Sequence, residues 1–273
     1  MLKKISLPLF AIIFAITALT GCDDKTDNQT TLTVGVAAGP YGDMFKKAIA
    51  PSLEQKGYTV EVREFSDYVQ PNIALANKEI DINLFQHKAY FDNFKTARNL
   101  DLTAVAFVPT AGAGIFSNKI TDFSQLKAGD QVTIANDLTN EARALRILQS
   151  AGLITLNPNV NPNEVTPRDI IENPYGLSIV PIEAPQTPRS LDNVILSVVN
   201  GNYAIGAGLD LSKALYTEVL EKDLKNVIAI RTADIDSLGK TIIEILQSND
   251  FKNVIENQND IFHTFQKPNY QLY

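Results

Sequence analysis

From Leu32 onward the hydrophobic pattern of this chain switches back and forth between a period of two and a period near 3.6, and one broad class of fold accommodates that rhythm. Leu32 to Val36 alternates as a strand and stops at Gly39-Pro40. Met44, Phe45, Ala48 and Ile49 recur at helical spacing, with Pro51 marking a kink or break just beyond. Thr59 to Phe65 is a second strand, Val69 to Asn77 a helix, Ile80 to Phe85 a strand, Gln86 to Arg98 a helix and Leu102 to Val108 a strand. The pattern then restarts. Val132 to Ala135 reads as a strand, Thr139 to Ser150 as a helix closed by Gly152, and Leu177 to Ile182 as a strand. Thr187-Pro188 looks like the cap and first position of a helix whose apolar stripe is Leu191, Val194, Ile195, Val198 and Val199. Asn157 to Arg168, with three prolines, reads as a long loop. Asn226 to Ile230 is a last strand, followed by helices near 237–246 and 251–257. Strands alternating with helices predict an α/β fold with mainly parallel sheets, in two blocks with a helical tail.

Composition narrows the function. Apolar residues make up 45% of the 273 and charged residues 20%, a globular balance that excludes disordered, collagen-like and polytopic membrane chains. The net charge of −7 argues against a nucleic-acid partner. A single cysteine excludes an intrachain disulfide framework, and two histidines exclude a metal site built on three or more of them. The chain has no Gly-x-x-x-x-Gly-Lys phosphate loop, no His-Glu-x-x-His and no Gly-x-Ser-x-Gly elbow, so no enzyme activity, metal or cofactor is expected. Gly112-Ala113-Gly114-Ile115-Phe116-Ser117 lacks a third glycine and reads as a turn or hinge.

The N-terminus is an address. Met1-Leu2-Lys3-Lys4 is positive, and Ile5 to Leu19 is apolar apart from Ser6, Pro8 and Thr17, the layout of a secretory signal. Leu19-Thr20-Gly21-Cys22 follows and resembles a bacterial lipobox. That resemblance implies cleavage after residue 21 and acylation of Cys22, with enough acyl chains for firm membrane anchoring. Asp23 resembles the signal that retains such lipoproteins at the periplasmic face of the inner membrane. Residues 22–31 are polar and read as a flexible tether.

Five blocks then stand in a recognisable order. They are Phe65 to Asn72, Asp81 to Tyr90, Ala135 to Arg143, Glu183 to Asp192 and Asn200 to Ala204. Together they resemble the methionine-binding lipoproteins of bacterial ABC importers, over nearly the whole mature chain to about Arg231. The resemblance implies a two-lobed periplasmic-binding-protein fold with the ligand in the interlobe cleft. Residues 32–108 and 204–273 would form one lobe and 109–203 the other, with crossovers near Pro109 and Tyr203.

The same resemblance implies a site. Arg143 would take the ligand's α-carboxylate, beside Asn140 on the same helix face. Taken alone, Arg143 also fits a salt bridge with an Asp or Glu. Asn200 and Asn226 would accept from the α-ammonium; turn or capping roles are the alternative for both, and fit Asn226 equally well. Tyr68, Phe85, His87 and Tyr90 would wall the side chain, since a thioether packs well on aromatic edges. Arg143→Ala would abolish binding and leave the fold intact.

The function implied is capture of L-methionine or a related amino acid by hinge closure and delivery to a permease driven by its ATPase. The alternatives are an adhesin-like envelope lipoprotein of the same fold, or a paralogue for another amino acid or a Met-containing dipeptide. Departures from the family pattern stand at Leu138, at Pro109 to Ser117, at Asp223-Leu224-Lys225 and after Phe265.

Overall fold

The computed structural model describes residues 30–268. The signal segment, Cys22, Asp23 and most of the tether lie outside the described residues. Thr30 and Thr31, placed in the tether from sequence, already pair with Tyr58 and Thr59 as strand.

The first α/β block begins with β1 (Thr30–Ala37), α1 (Tyr41–Met44), a π-helical stretch Phe45–Ile49 and α2 (Ala50–Gln55). Pro51 does not end this helix. It lacks an amide hydrogen, so a continued α-helix would orphan a carbonyl one turn back, and the wide π turn falls just before it. Then come β2 (Tyr58–Phe65), α3 (Gln70–Ala76), β3 (Ile82–His87), α4 (Lys88–Ala97) and β4 (Leu102–Phe107). The second block holds β5 (Gly114–Phe116), β6 (Gln131–Ala135), α5 (Leu138–Ser150), the small pair β7 (Thr155–Leu156) and β8 (Ile170–Glu172), and β9 (Ser178–Ile182). It continues through α6 (Thr187–Ser190), β10 (Leu196–Val199), α7 (Gly201–Gly206) and β11 (Tyr216–Thr217). The chain then returns as β12 (Asn226–Arg231), α8 (Lys240–Gln247) and α9 (Asn249–Glu256).

Two five-stranded sheets result, ordered β2-β1-β3-β12-β4 and β11-β5-β10-β6-β9. In the first, β12 runs antiparallel to both neighbours; in the second, β5 does. The remaining strands of each sheet are mutually parallel, as the alternation predicts. Pro181 sits on the edge strand β9, where a missing amide hydrogen costs least. Each sheet packs its own apolar core, one around Val34, Phe45, Ile82 and Ile228, the other around Ile115, Val132, Leu145 and Leu196.

Two expectations are corrected. The helix at Thr187 lasts four residues, and the apolar stripe beyond it becomes strand β10. Leu196 and Val198 enter one core cluster and Val199 another, the two-sided alternation of a strand. The second crossover lies later than Tyr203: Tyr216 pairs with Ile115 in the second sheet, so the chain crosses back between Glu218 and Lys225. Tyr203 and α7 pack with Phe116, Ala135 and Leu191 of the second lobe, where large apolar surface is already assembled. The chain passes from the first sheet to the second between β4 and β5.

Candidate functional site

The carboxyl ends of β1, β3, β6 and β10 and the amino ends of the antiparallel β5 and β12 all point to the cleft between the lobes, the end at which α/β sheets hold ligands. A small pocket lies there. All eight residues singled out from sequence line it: Tyr68, Phe85, His87, Tyr90 and Asn226 from the first lobe, and Asn140, Arg143 and Asn200 from the second. Tyr41, Gln86 and Asn202 also line it and were missed.

The aromatic wall is built on β3 and α4. His87 ends β3, caps α4 and accepts the Tyr90 amide hydrogen at Nδ1, 3.1 Å away. Tyr90 thereby turns toward Phe85 and Tyr68, with ring centroids 6.4 and 5.8 Å apart. The Tyr90 hydroxyl donates to the Tyr68 carbonyl at 3.1 Å. Tyr68 spans the cleft. Its ring stacks on Tyr203 at 4.8 Å, and its hydroxyl donates to Asn202 Oδ1 at 2.6 Å. Behind the wall, Gln86, Asn72 and Asn83 satisfy one another in a buried amide cluster, so the polar side of Gln86 is spent.

A single chain of hydrogen bonds orients the polar half of the site. Because His87 Nδ1 accepts from Tyr90, its proton sits on Nε2, which donates across the cleft to Asn140 Oδ1 at 3.1 Å. Burial and then the Arg143 charge push His87 down to about 3, so the ring is neutral at physiological pH. Asn140 Oδ1 also accepts from Asn200 Nδ2 at 2.7 Å, and Asn140 Nδ2 donates to both oxygens of Asp137 at 3.0 Å. Asp137 caps α5, and burial raises its carboxyl above the ordinary value.

Asn140 therefore has no polar atom to spare; it orients its neighbours. Asn200, whose Nδ2 is engaged, directs Oδ1 to the pocket. It stands at the N-cap position of α7 and caps nothing, so the capping alternative fails for it. Asn226 is fixed by its backbone, donating to Thr110 Oγ1 at 2.8 Å and accepting from Val108 at 2.9 Å. Its side chain makes no hydrogen bond among the described residues and faces the pocket.

Arg143 is 4% exposed and already half engaged. Nε donates to Glu218 Oε2 at 3.0 Å and to Oε1 at 3.1 Å, and Nη2 also bonds Oε1. Burial alone would lower the guanidinium pKa; the Glu218 carboxylate more than offsets that. Nη1 makes no hydrogen bond among the described residues, and Arg143 lines the pocket. The salt-bridge alternative thus holds together with the pocket position: one edge of the guanidinium is paired, the other is open. Nothing in the sequence flagged Glu218, which lies 75 positions from Arg143.

The arrangement can grip a zwitterion. One guanidinium nitrogen suits a carboxylate, two amide oxygens suit an ammonium, and an apolar slot suits an unbranched side chain. Among the described residues there is no cluster of acids, histidines or cysteines suited to a metal ion.

Residues 32–268 match the model of a family described as NlpA lipoprotein. The D-methionine-binding lipoprotein MetQ of Escherichia coli K12 is 38% identical over 253 residues, covering 90% of this chain and 91% of that protein. Outer membrane lipoprotein 3 of Mannheimia haemolytica is 38% identical over 214 residues, 78% of this chain and 80% of that one. A nutrient binding protein of Burkholderia cenocepacia, solved bound to methionine, superposes with a TM-score of 0.78 at 35% identity, covering 83% of this chain and 96% of that one.

Proposed function

We propose for this chain, which belongs to the NlpA lipoprotein family, the role of methionine-binding component of an ABC importer. It captures a free methionine between its lobes and passes it to a permease, whose ATPase supplies the energy. The chain is a binding protein and not an enzyme.

The observation that carries this reading is the composition of the interlobe pocket. Arg143 Nη1 takes the α-carboxylate, Asn200 Oδ1 and the Asn226 side chain take the α-ammonium, and Tyr68, Phe85, His87 and Tyr90 enclose the thioether. His87–Asn140, Tyr68–Asn202 and Tyr68–Tyr203 join the lobes directly, so the closed form completes the site. Cys22 carries the lipid anchor in the cell envelope, and Asp23 favours the inner membrane. A second reading, a lipoprotein of the outer membrane with another role, draws on the name of the Mannheimia relative.

Calorimetric titration of the chain lacking residues 1–22 with L-methionine, D-methionine and leucine separates the readings. Tight, saturable methionine binding supports the importer component. Binding of another amino acid alone reassigns the substrate, and no binding of any amino acid favours the second reading.

A further inference from the structure

Glu218 is held on every side. Its amide donates to the Ala113 carbonyl at 3.1 Å, its carbonyl accepts from Gln266 Nε2 at 3.0 Å, and its carboxylate takes the Ala113 amide hydrogen as well as Arg143. Ala113 belongs to the first crossover, Glu218 to the second, and Gln266 to the C-terminal segment. Gln266 in turn exchanges two backbone bonds with Thr110 and accepts from the Leu220 amide at 2.8 Å. A carboxylate fixed by two crossovers and a third chain segment does not swing aside to make way for a ligand. It is 6% exposed, so its charge is felt at close range by the guanidinium.

We infer that Glu218 is a permanent counter-charge that makes this pocket select a zwitterion over a bare carboxylate, acting on the ligand through Arg143. The inference rests on the α-amino-acid reading above and deepens it. With Arg143 and Glu218 paired, the pair brings no net charge to the pocket. A ligand offering only a carboxylate meets a guanidinium already neutralised on its other edge and leaves Asn200 Oδ1 and Asn226 unpaired. A ligand with both charges satisfies all three groups and adds no net charge. Without Glu218 the same pocket holds an orphaned buried cation, which any small anion would stabilise.

The test compares methionine with its α-keto acid, 4-methylthio-2-oxobutanoate, by calorimetry on the wild type, Glu218→Gln and Glu218→Asp. Glu218→Gln keeps the shape and loses the charge. Its preference for methionine over the keto acid narrows by about tenfold or more, while Glu218→Asp retains the preference even where absolute affinity falls. Parallel loss of both ligands, with the preference unchanged, would overturn the inference and leave Glu218 a packing residue. A second readout needs no amino acid: formate at constant ionic strength raises the Tm of Glu218→Gln and leaves the wild type unmoved. Equal responses of the two proteins to formate would also overturn it. If the wild type binds no amino acid, the proposed function fails, and the formate comparison still decides the charge role of Glu218.

Discussion

Closing the lobes should expel a proton from His87, and ligand affinity should fall in mild acid. In the closed form the imidazole is buried beside Arg143, with Arg146 adding a weaker repulsion, and it is pushed down to about 3 from an ordinary 6.5. Opening the cleft breaks the contact with Asn140 and takes the ring away from Arg143, so its pKa should rise back toward the ordinary value. The closed state prefers the neutral ring, so its advantage is intact above 6.5 and is lost as pH falls below it. At pH about 7.5 almost no open molecules carry the proton. At pH about 5.5 most do, and closure then costs about 1.4 kcal/mol more, a tenfold loss of affinity. Calorimetric titration with methionine at the two pH values measures this directly. His87→Gln keeps an amide donor for Asn140 but does not titrate, so its affinity should change far less over the same interval. A wild-type affinity that is flat from pH about 7.5 to 5.5, or a His87→Gln profile that follows the wild type, would refute the reasoning.

Arg143→Ala removes the proposed carboxylate grip and strands Glu218 in the interior. Binding should vanish and stability should drop by about 3–5 kcal/mol in denaturant melts, because the buried pair loses its cation. Asn200→Leu removes a proposed ammonium acceptor and the buried hydrogen bond to Asn140, so affinity should fall by about 1.5–3 kcal/mol, with about 1 kcal/mol lost from stability. At Gly39, with φ +128°, an added Cβ would lie 2.5 Å from the Asn202 carbonyl oxygen across the cleft. Gly39→Ala should therefore hold the lobes apart, abolishing ligand-induced compaction in small-angle scattering while far-UV circular dichroism stays native. Phe85→Ala opens a hole in the buried aromatic wall and should cost about 3–5 kcal/mol of stability as well as ligand affinity.

The sequence carried the site further than it carried the lobe boundary. Phe85, His87 and Tyr90 stand at the end of strand β3 and the start of α4, where local periodicity brings them together, whereas Tyr68 lies between β2 and α3 and joins them only through the fold. Asn200 and Asn226 stand in recognisable blocks, although only the fold shows that the first caps nothing and the second is held by its backbone. Glu218 was illegible, because its partners Arg143, Ala113 and Gln266 are distant in sequence and meet only at the crossovers. The strand Tyr216–Thr217 is two residues long, too short for any periodic signal, and missing it displaced the second crossover to Tyr203. The segment after Ser190 was misread for a related reason. Apolar residues at 191, 194, 195, 198 and 199 satisfy a helical stripe, and the turn before Leu196 resets the period.

The central claim is that the interlobe pocket holds a free methionine, and calorimetric titration of the chain lacking residues 1–22 tests it most directly, with the protein unfolded and refolded beforehand to strip carried-over ligand. One methionine bound per chain at pH about 7.5, with N-acetylmethionine and methionine methyl ester failing to compete, is the result the account predicts. No heat with either enantiomer, or equal binding of the two blocked derivatives, would contradict it.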